Sequence, residues 1–175
     1  MNNLVDEKYT MKHCVIVLLI IPFAKALEPC SDYSTITNEE NRSPFHQNSF
    51  SDTPISDDRL TPGWYRIEMN TGSLIPNQIP ELFRCGTWNP IWLNGTLPSV
   101  PEVRVNGQVC VNTFNSVCEY TWFINIKFCC GNYLVYELLS SPVEKSAYCF
   151  GNSSNGFVSS KDNTIGCYIV LIRMT

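Results

Sequence analysis

Nine cysteines carry most of the chemistry this sequence has to offer. A thiol can act as a nucleophile, a metal ligand or half of a disulfide, and its compartment and neighbours decide which. Cys14 lies inside an apolar run near the start; the other eight are Cys30, Cys85, Cys110, Cys118, Cys129, Cys130, Cys149 and Cys167. A zinc site needs further nitrogen or sulfur ligands at close spacing, but beyond residue 26 there is one histidine, His46, and no C-x-x-C pair. Asp52, Asp57 and Asp58 could ligate calcium, yet their spacing is not that of an EF-hand, and a solvated acidic loop is the better reading. Glu39 and Glu40 fall in the same polar stretch. The chain has no G-x-S-x-G, no H-E-x-x-H and no glycine-rich phosphate loop, so no nucleophile–base pair can be nominated. We therefore expect no catalysis, no cofactor and no metal. The adjacent Cys129 and Cys130 could suggest redox work, but structural pairing is more usual in an exported chain. A second kind of chemistry is offered by three N-x-S/T acceptors for N-glycans, Asn94, Asn152 and Asn41. Asn41 is the weakest, because Pro44 follows its Ser43.

The N-terminus argues for export. "MKHCVIVLLIIPFAKA" has a basic start at Lys12, an apolar run of about ten residues and a small-x-small site at Ala24-Lys25-Ala26. That run suits a signal peptide over residues 1–26 and is too short to span a bilayer. Met11 fits the start of such a peptide better than Met1. Removing these residues leaves nine basic against fourteen acidic side chains and eight cysteines, an even number. Eight cysteines allow 105 connectivities, so the pattern alone assigns no bridge. With no basic run, a nucleic-acid surface is not expected. No later segment is long and apolar enough to anchor the chain, so a secreted, extracellular protein with no membrane span is expected.

The elements that must position these residues are strands. Residues 27–62 form a polar N-terminal arm, read as loop and pinned at Cys30. Order sets in over 63–150. "GWYRIEM" alternates Trp64, Arg66 and Glu68 with Tyr65, Ile67 and Met69. Asn106-Gly107, amid alternating valines, carries the signal of a tight hairpin turn. "EYTWFINIKFC" sustains a period of two, with Tyr120, Trp122, Ile124, Ile126 and Phe128 on one face. Gly131-Asn132 then turns the chain into an antiparallel "YLVYEL". Residues 151–175 make a C-terminal extension with one strand, "CYIVLI". No amphipathic helix of useful length is present. The predicted class is mainly all-β, a small disulfide-stapled antiparallel β domain with long loops. Each bridge closing a long loop contributes roughly 2–4 kcal/mol.

The series "EPCSDY", "GWYR", "RCGT", "WLNGT", "IKFCCGNYLVYEL" and "AYC" resembles the cysteine-rich, eight-cysteine domain shared by uromodulin, pancreatic secretory glycoprotein 2 and the liver-specific zona pellucida protein. The resemblance runs from Glu28 to about Cys149. Family cysteines just before G-W-Y-R and shortly before A-Y-C are absent here, as is one before R-C-x-T, and a doublet near Cys118 is reduced to one. Cys130 and Cys167 are additions, and the comparison suggests that they pair. It also implies that "CGTWNPIWLNGT" is a structural corner. There Trp88 and Trp92 would pack over a bridge from Cys85, and Asn94-Gly95 would form an exposed turn offering a glycan.

What the resemblance implies functionally is a non-catalytic extracellular glycoprotein module that binds by protein or glycan contact. Its partner would be an unknown extracellular protein or a glycan-binding adhesin. Relatives carry a mannose-rich glycan on an asparagine of their Y-x-Y-N-L segment, where this chain has Glu137, so Asn94 would have to present a glycan instead. The other expectation is a structural or matrix component, or a fragment of a larger mosaic protein whose zona pellucida or EGF-like companions are missing.

Overall fold

The computed structural model describes residues 28–152. The expected signal peptide, Cys167 and the expected C-terminal strand lie outside the described residues. Seven strands form one sheet: β1 (Ser34–Thr37), β2 (Gly63–Glu68), β3 (Asn89–Asn94), β4 (Arg104–Val111), β5 (Tyr120–Cys129), β6 (Tyr133–Leu138) and β7 (Ser146–Tyr148). Their order is β1-β2-β6-β5-β4-β3-β7. The five inner strands are antiparallel, whereas each edge strand joins in parallel, β1 on β2 and β7 on β3. A single 3-10 turn, Glu40–Arg42, is the only helical element among the described residues.

The period of two read from the sequence sets the two faces. Ile67, Val109, Val111, Ile124, Ile126, Leu134, Tyr136 and Leu138 point inward to a core completed by Ile91, Leu93, Tyr148 and Phe150. Outward lie Trp64 opposite Glu137, Asn125 opposite Asn106, and Asn94 opposite Gln108. The sheet is curled: Tyr148 on the edge strand β7 accepts the Trp122 indole N–H from β5 at 3.0 Å. It donates to the Leu139 carbonyl, just past β6, at 3.0 Å. One aromatic residue thus ties an edge strand back over the inner face. Such closure satisfies buried polar atoms that would otherwise cost stability.

Two expectations change. Asn106-Gly107 is not a turn: β4 runs straight through it, with Gly107 opposite Ile124. Glycine is needed there for space, since a Cβ would meet Leu93 Cδ1 at 2.8 Å and Ile126 Cδ1 at 3.1 Å. The arm is not simply loop either. It supplies β1, and its Arg42 and Asp57 are buried against each other. Asp57 is therefore no member of a solvated acidic loop. The turn at Gly131-Asn132 is where the sequence puts it, with both residues at positive φ, 105° and 61°.

Three bridges are defined between described cysteines. Cys30–Cys129 ties the arm to the end of β5, Cys85–Cys149 ties the loop before β3 to the residue after β7, and Cys110–Cys118 closes the loop between β4 and β5. Cys130 is also disulfide-bonded; its expected partner, Cys167, lies outside the described residues.

Candidate interaction surface

The loop from Leu82 to Thr87 is held by the Cys85–Cys149 bridge in an unusual shape. Phe83, Cys85 and Gly86 all have positive φ, at 64°, 60° and 64°. For a bulky side chain such as phenylalanine this region is strained, at a cost on the order of 1–3 kcal/mol. The conformation persists because both backbone groups of Phe83 are pinned. Its N–H donates to the Trp88 carbonyl at 3.2 Å, and its carbonyl accepts the Asn48 N–H at 2.7 Å.

The result is that Phe83 stands between two other rings. Phe50 lies 4.8 Å from it and Phe114 5.7 Å, centroid to centroid. Phe50 is 80% exposed and Phe114 72%. Three loops distant in sequence therefore bring together an aromatic ridge at the surface. Trp88 borders it at 6.4 Å from Phe83, and the Lys145 ammonium sits 3.8 Å from the Trp88 ring centroid, in cation–π contact. The buried Trp88 indole N–H has no hydrogen-bond partner.

On the other side of the same loop a half-open cleft of about 570 Å³ is lined by Phe45, Leu74, Ile79, Pro80, Leu97 and Arg84, among others. Arg84 holds one wall by donating to the Phe45 carbonyl at 3.1 Å while pairing with Glu81 at 3.0 Å. Phe45 and Ile79 are exposed as well and thus add apolar surface beside the cleft.

Of the residues nominated from the sequence, Cys85 and Trp88 lie at this loop. Asn94 ends β3 and is exposed together with Gly95 and Thr96, and its side-chain N–H donates to Gln108 Oε1 at 3.3 Å. Asn41 is exposed within the 3-10 turn. Asn152 is exposed, and its backbone N–H donates to the Thr71 carbonyl at 2.9 Å. Trp92 is buried, donating its indole N–H to the Val117 carbonyl at 2.9 Å. Glu137 accepts from Asn125 Nδ2 at 2.6 Å across the β5–β6 pair. Asn41 and Asn152 share one neighbourhood, since the Phe150 N–H donates to the Arg42 carbonyl and Thr71 bonds both Glu40 and Asn152, and Asn41 packs beside Gly86 of the loop that carries Phe83.

Charged clusters are tied up in the fold. Glu28, Cys30 and Glu102 bring ligand atoms within 4.8 Å of one another. However, the Cys30 sulfur is committed to its bridge, and the Lys127 ammonium pairs with both carboxylates. The hydrogen bond from Lys127, aided by the Cys130 N–H, holds the Glu102 carboxyl below its usual range. Burial works to lower the Lys127 value, but its hydrogen bonds to Glu102 and Glu28 outweigh that and raise it. The N–H groups of Asn70 and Thr71 likewise hold Glu40 down. These carboxylates lock the arm to the sheet.

Sequence reasoning missed the ridge. The signal that could have found it is faint: Phe50 in "QNSFSDT" and Phe114 in "VNTFNSV" are lone aromatics inside polar turn sequences, where no core pattern requires them.

Among known families, the model described as a uromodulin-like domain matches residues 65–150, most of β2 and all the strands that follow it. Among curated proteins, the pancreatic secretory granule membrane major glycoprotein GP2 of the dog is 31% identical over 125 residues, 71% of this chain and 24% of that protein. Mouse uromodulin is 30% identical over 127 residues, 73% of this chain and 19% of that protein. Human GP2 is 30% identical over 122 residues, 70% of this chain and 22% of that protein. The chain thus spans a quarter or less of the length of these curated relatives. Among the described residues no helix is long and apolar enough to cross a membrane.

Proposed function

The chain belongs to the uromodulin-like family of cysteine-rich domains through residues 65–150, and on that premise we propose that it is an exported, disulfide-bonded glycoprotein module that binds a protein partner without catalysis. The observation that carries this reading is the ridge of Phe50, Phe83 and Phe114. Two of its rings are largely exposed, and the third stands on a backbone held in the left-handed region. Strain retained at a surface is the signature of a site kept for contact. Aromatic rings of this kind supply large contact area at low entropy cost and dominate interface energetics. Export is supported by the signal-like N-terminus and by bridges that persist only in oxidising compartments.

The test is a Phe50→Ser/Phe114→Ser double variant secreted from animal cells beside the wild type. Both are displayed against arrays of extracellular proteins and glycans and against bacterial surfaces. The double variant keeps its melting temperature and thiol-free state while binding to the protein ligand falls at least about tenfold, the loss expected when ridge anchors are removed. Equal binding by both, or binding to glycans alone, rejects the ridge as the site.

A second reading, a structural component or one module of a larger mosaic protein, is favoured by one observation: this chain covers only 19–24% of its relatives' length. Full-length transcript sequencing that joins this coding segment to further modules would establish it. Glycan presentation in the manner implied for relatives would pass from the Glu137 position to Asn94, because Glu137 is no acceptor.

A further inference from the structure

We propose that the first two sugars of an N-glycan on Asn94 lie across the outer face of β3, β4 and β5 and cover the ring of Phe123. This rests on Asn94 being glycosylated in the exported protein.

The register carries it. Asn94 on β3 stands opposite Gln108 on β4, and Gln108 stands opposite Phe123 on β5. Partners directly opposite in antiparallel pairs share a face, so the three side chains form one row on the outer surface. With strands about 4.8 Å apart, Phe123 lies about 10 Å from Asn94, a separation that two linked pyranose rings can bridge.

Phe123 needs a cover. It is 58% exposed in the middle of a strand, whereas Ile124 and Ile126 beside it are core residues. Its outward neighbours along β5 are Thr121 and Asn125, so the ring interrupts a polar face. Among the described residues no ring stacks on it. The apolar face of a hexose ring is the complement such a surface takes, since stacking removes apolar area from water while the hydroxyls stay hydrated.

Local geometry sets the attachment nitrogen over the row. The Asn94 Nδ2 donates to Gln108 Oε1 at 3.3 Å, which turns the amide toward β4. Glycosylation removes one of the two amide hydrogens and leaves the other for this bond. A Cβ built on Gly95 would meet nothing within 4 Å, so the start of the glycan is uncrowded.

The experiment uses the full chain secreted from animal cells with Asn41→Gln and Asn152→Gln, so that Asn94 alone is read. Peptide mass mapping first scores occupancy of Asn94; an unoccupied Asn94 overturns both the glycosylation reading and this proposal. In the occupied protein, an endoglycosidase that leaves a single N-acetylglucosamine trims the second sugar without changing charge. Trimming lowers Tm by about 3–5 °C in the Phe123-containing protein, the shift that losing one buried contact gives a domain of this size. In Phe123→Ser the same trimming changes Tm by less than about 1 °C, and in Phe123→Tyr the full shift returns. An equal shift with and without the ring, or no shift in either, overturns the proposal while leaving glycosylation itself standing.

Discussion

Arg42 and Asp57, fifteen residues apart in the arm, meet inside the domain through two parallel hydrogen bonds of 2.8 Å. Asp57 also accepts the Tyr148 N–H at 2.8 Å, and Arg42 donates to the Tyr148 carbonyl at 3.3 Å. Both polar groups of one β7 residue are thus bound by a charge pair from the arm. Burial alone would lower the Arg42 value, but the Asp57 carboxylate, joined by Glu39, more than compensates and raises it. The arm is a structural part of the sheet's edge.

Removing Asp57 takes from the buried Arg42 guanidinium its buried partner and leaves it only the half-exposed Glu39 as a carboxylate. Asp57→Ala should destabilise the domain by about 3–5 kcal/mol, whereas Arg42→Met/Asp57→Leu should recover much of that loss. Denaturant melts of the two variants check it; equal losses would assign the pair's worth to contacts other than charge.

Gly107→Ala places a methyl group 2.8 Å from Leu93 Cδ1. Because that atom is the tip of a flexible side chain, the cost is repacking rather than backbone rupture, about 1–3 kcal/mol. A Leu93→Ala partner change makes room and reduces the added cost of the alanine, read as a positive coupling in a double-mutant cycle.

The bridges differ in the length of chain they close, with sequence separations of 99, 64 and 8 for Cys30–Cys129, Cys85–Cys149 and Cys110–Cys118. Loop entropy then ranks the losses on paired Cys→Ser replacement at roughly 4.7, 4.3 and 2.5 kcal/mol. Thermal melts of the three double variants test the order. The Cys85–Cys149 variant should in addition loosen the loop that presents Phe83, seen as faster amide exchange at Phe83.

Alkali probes the core. Burial pushes the phenols of Tyr136 and Tyr148 well above the ordinary tyrosine value of 10.0. Their contribution is whole below pH 10 and shrinks as pH rises further, because the unfolded chain releases protons that the folded one retains. Each group removes up to about 1.4 kcal/mol per pH unit in that range. Near-ultraviolet absorbance of the phenolate should show two tyrosines that ionise only as the protein unfolds.

What the sequence made legible was local. The alternation of β2, β5 and β6, the turn at Gly131-Asn132 and the family resemblance all rest on residues within a few positions of one another. The missed features depend on distant contacts. Gly107 reads as a turn until Leu93 and Ile126 are seen packing on it. Ser34–Thr37 becomes a strand only because β2, about thirty residues on, pairs with it. The ridge needs positions 50, 83 and 114 at once, and the polar stretches around two of them carry no periodicity to announce a shared surface.

The Cys30–Cys129 bridge has a mechanical consequence. Tension applied at Cys30 and Asn152 passes through the sulfur bond straight to Cys129, so the 99-residue separation between the two cysteines is bypassed. At most the roughly 23 residues from Cys129 to Asn152 can extend, about 80 Å of chain, against about 400 Å if all the bridges were reduced. β1 to β4 and most of β5 lie outside the shortest covalent path while the module is pulled, with the Phe83 loop tethered to that path through Cys85–Cys149, and a reductant would convert a short tether into a long one.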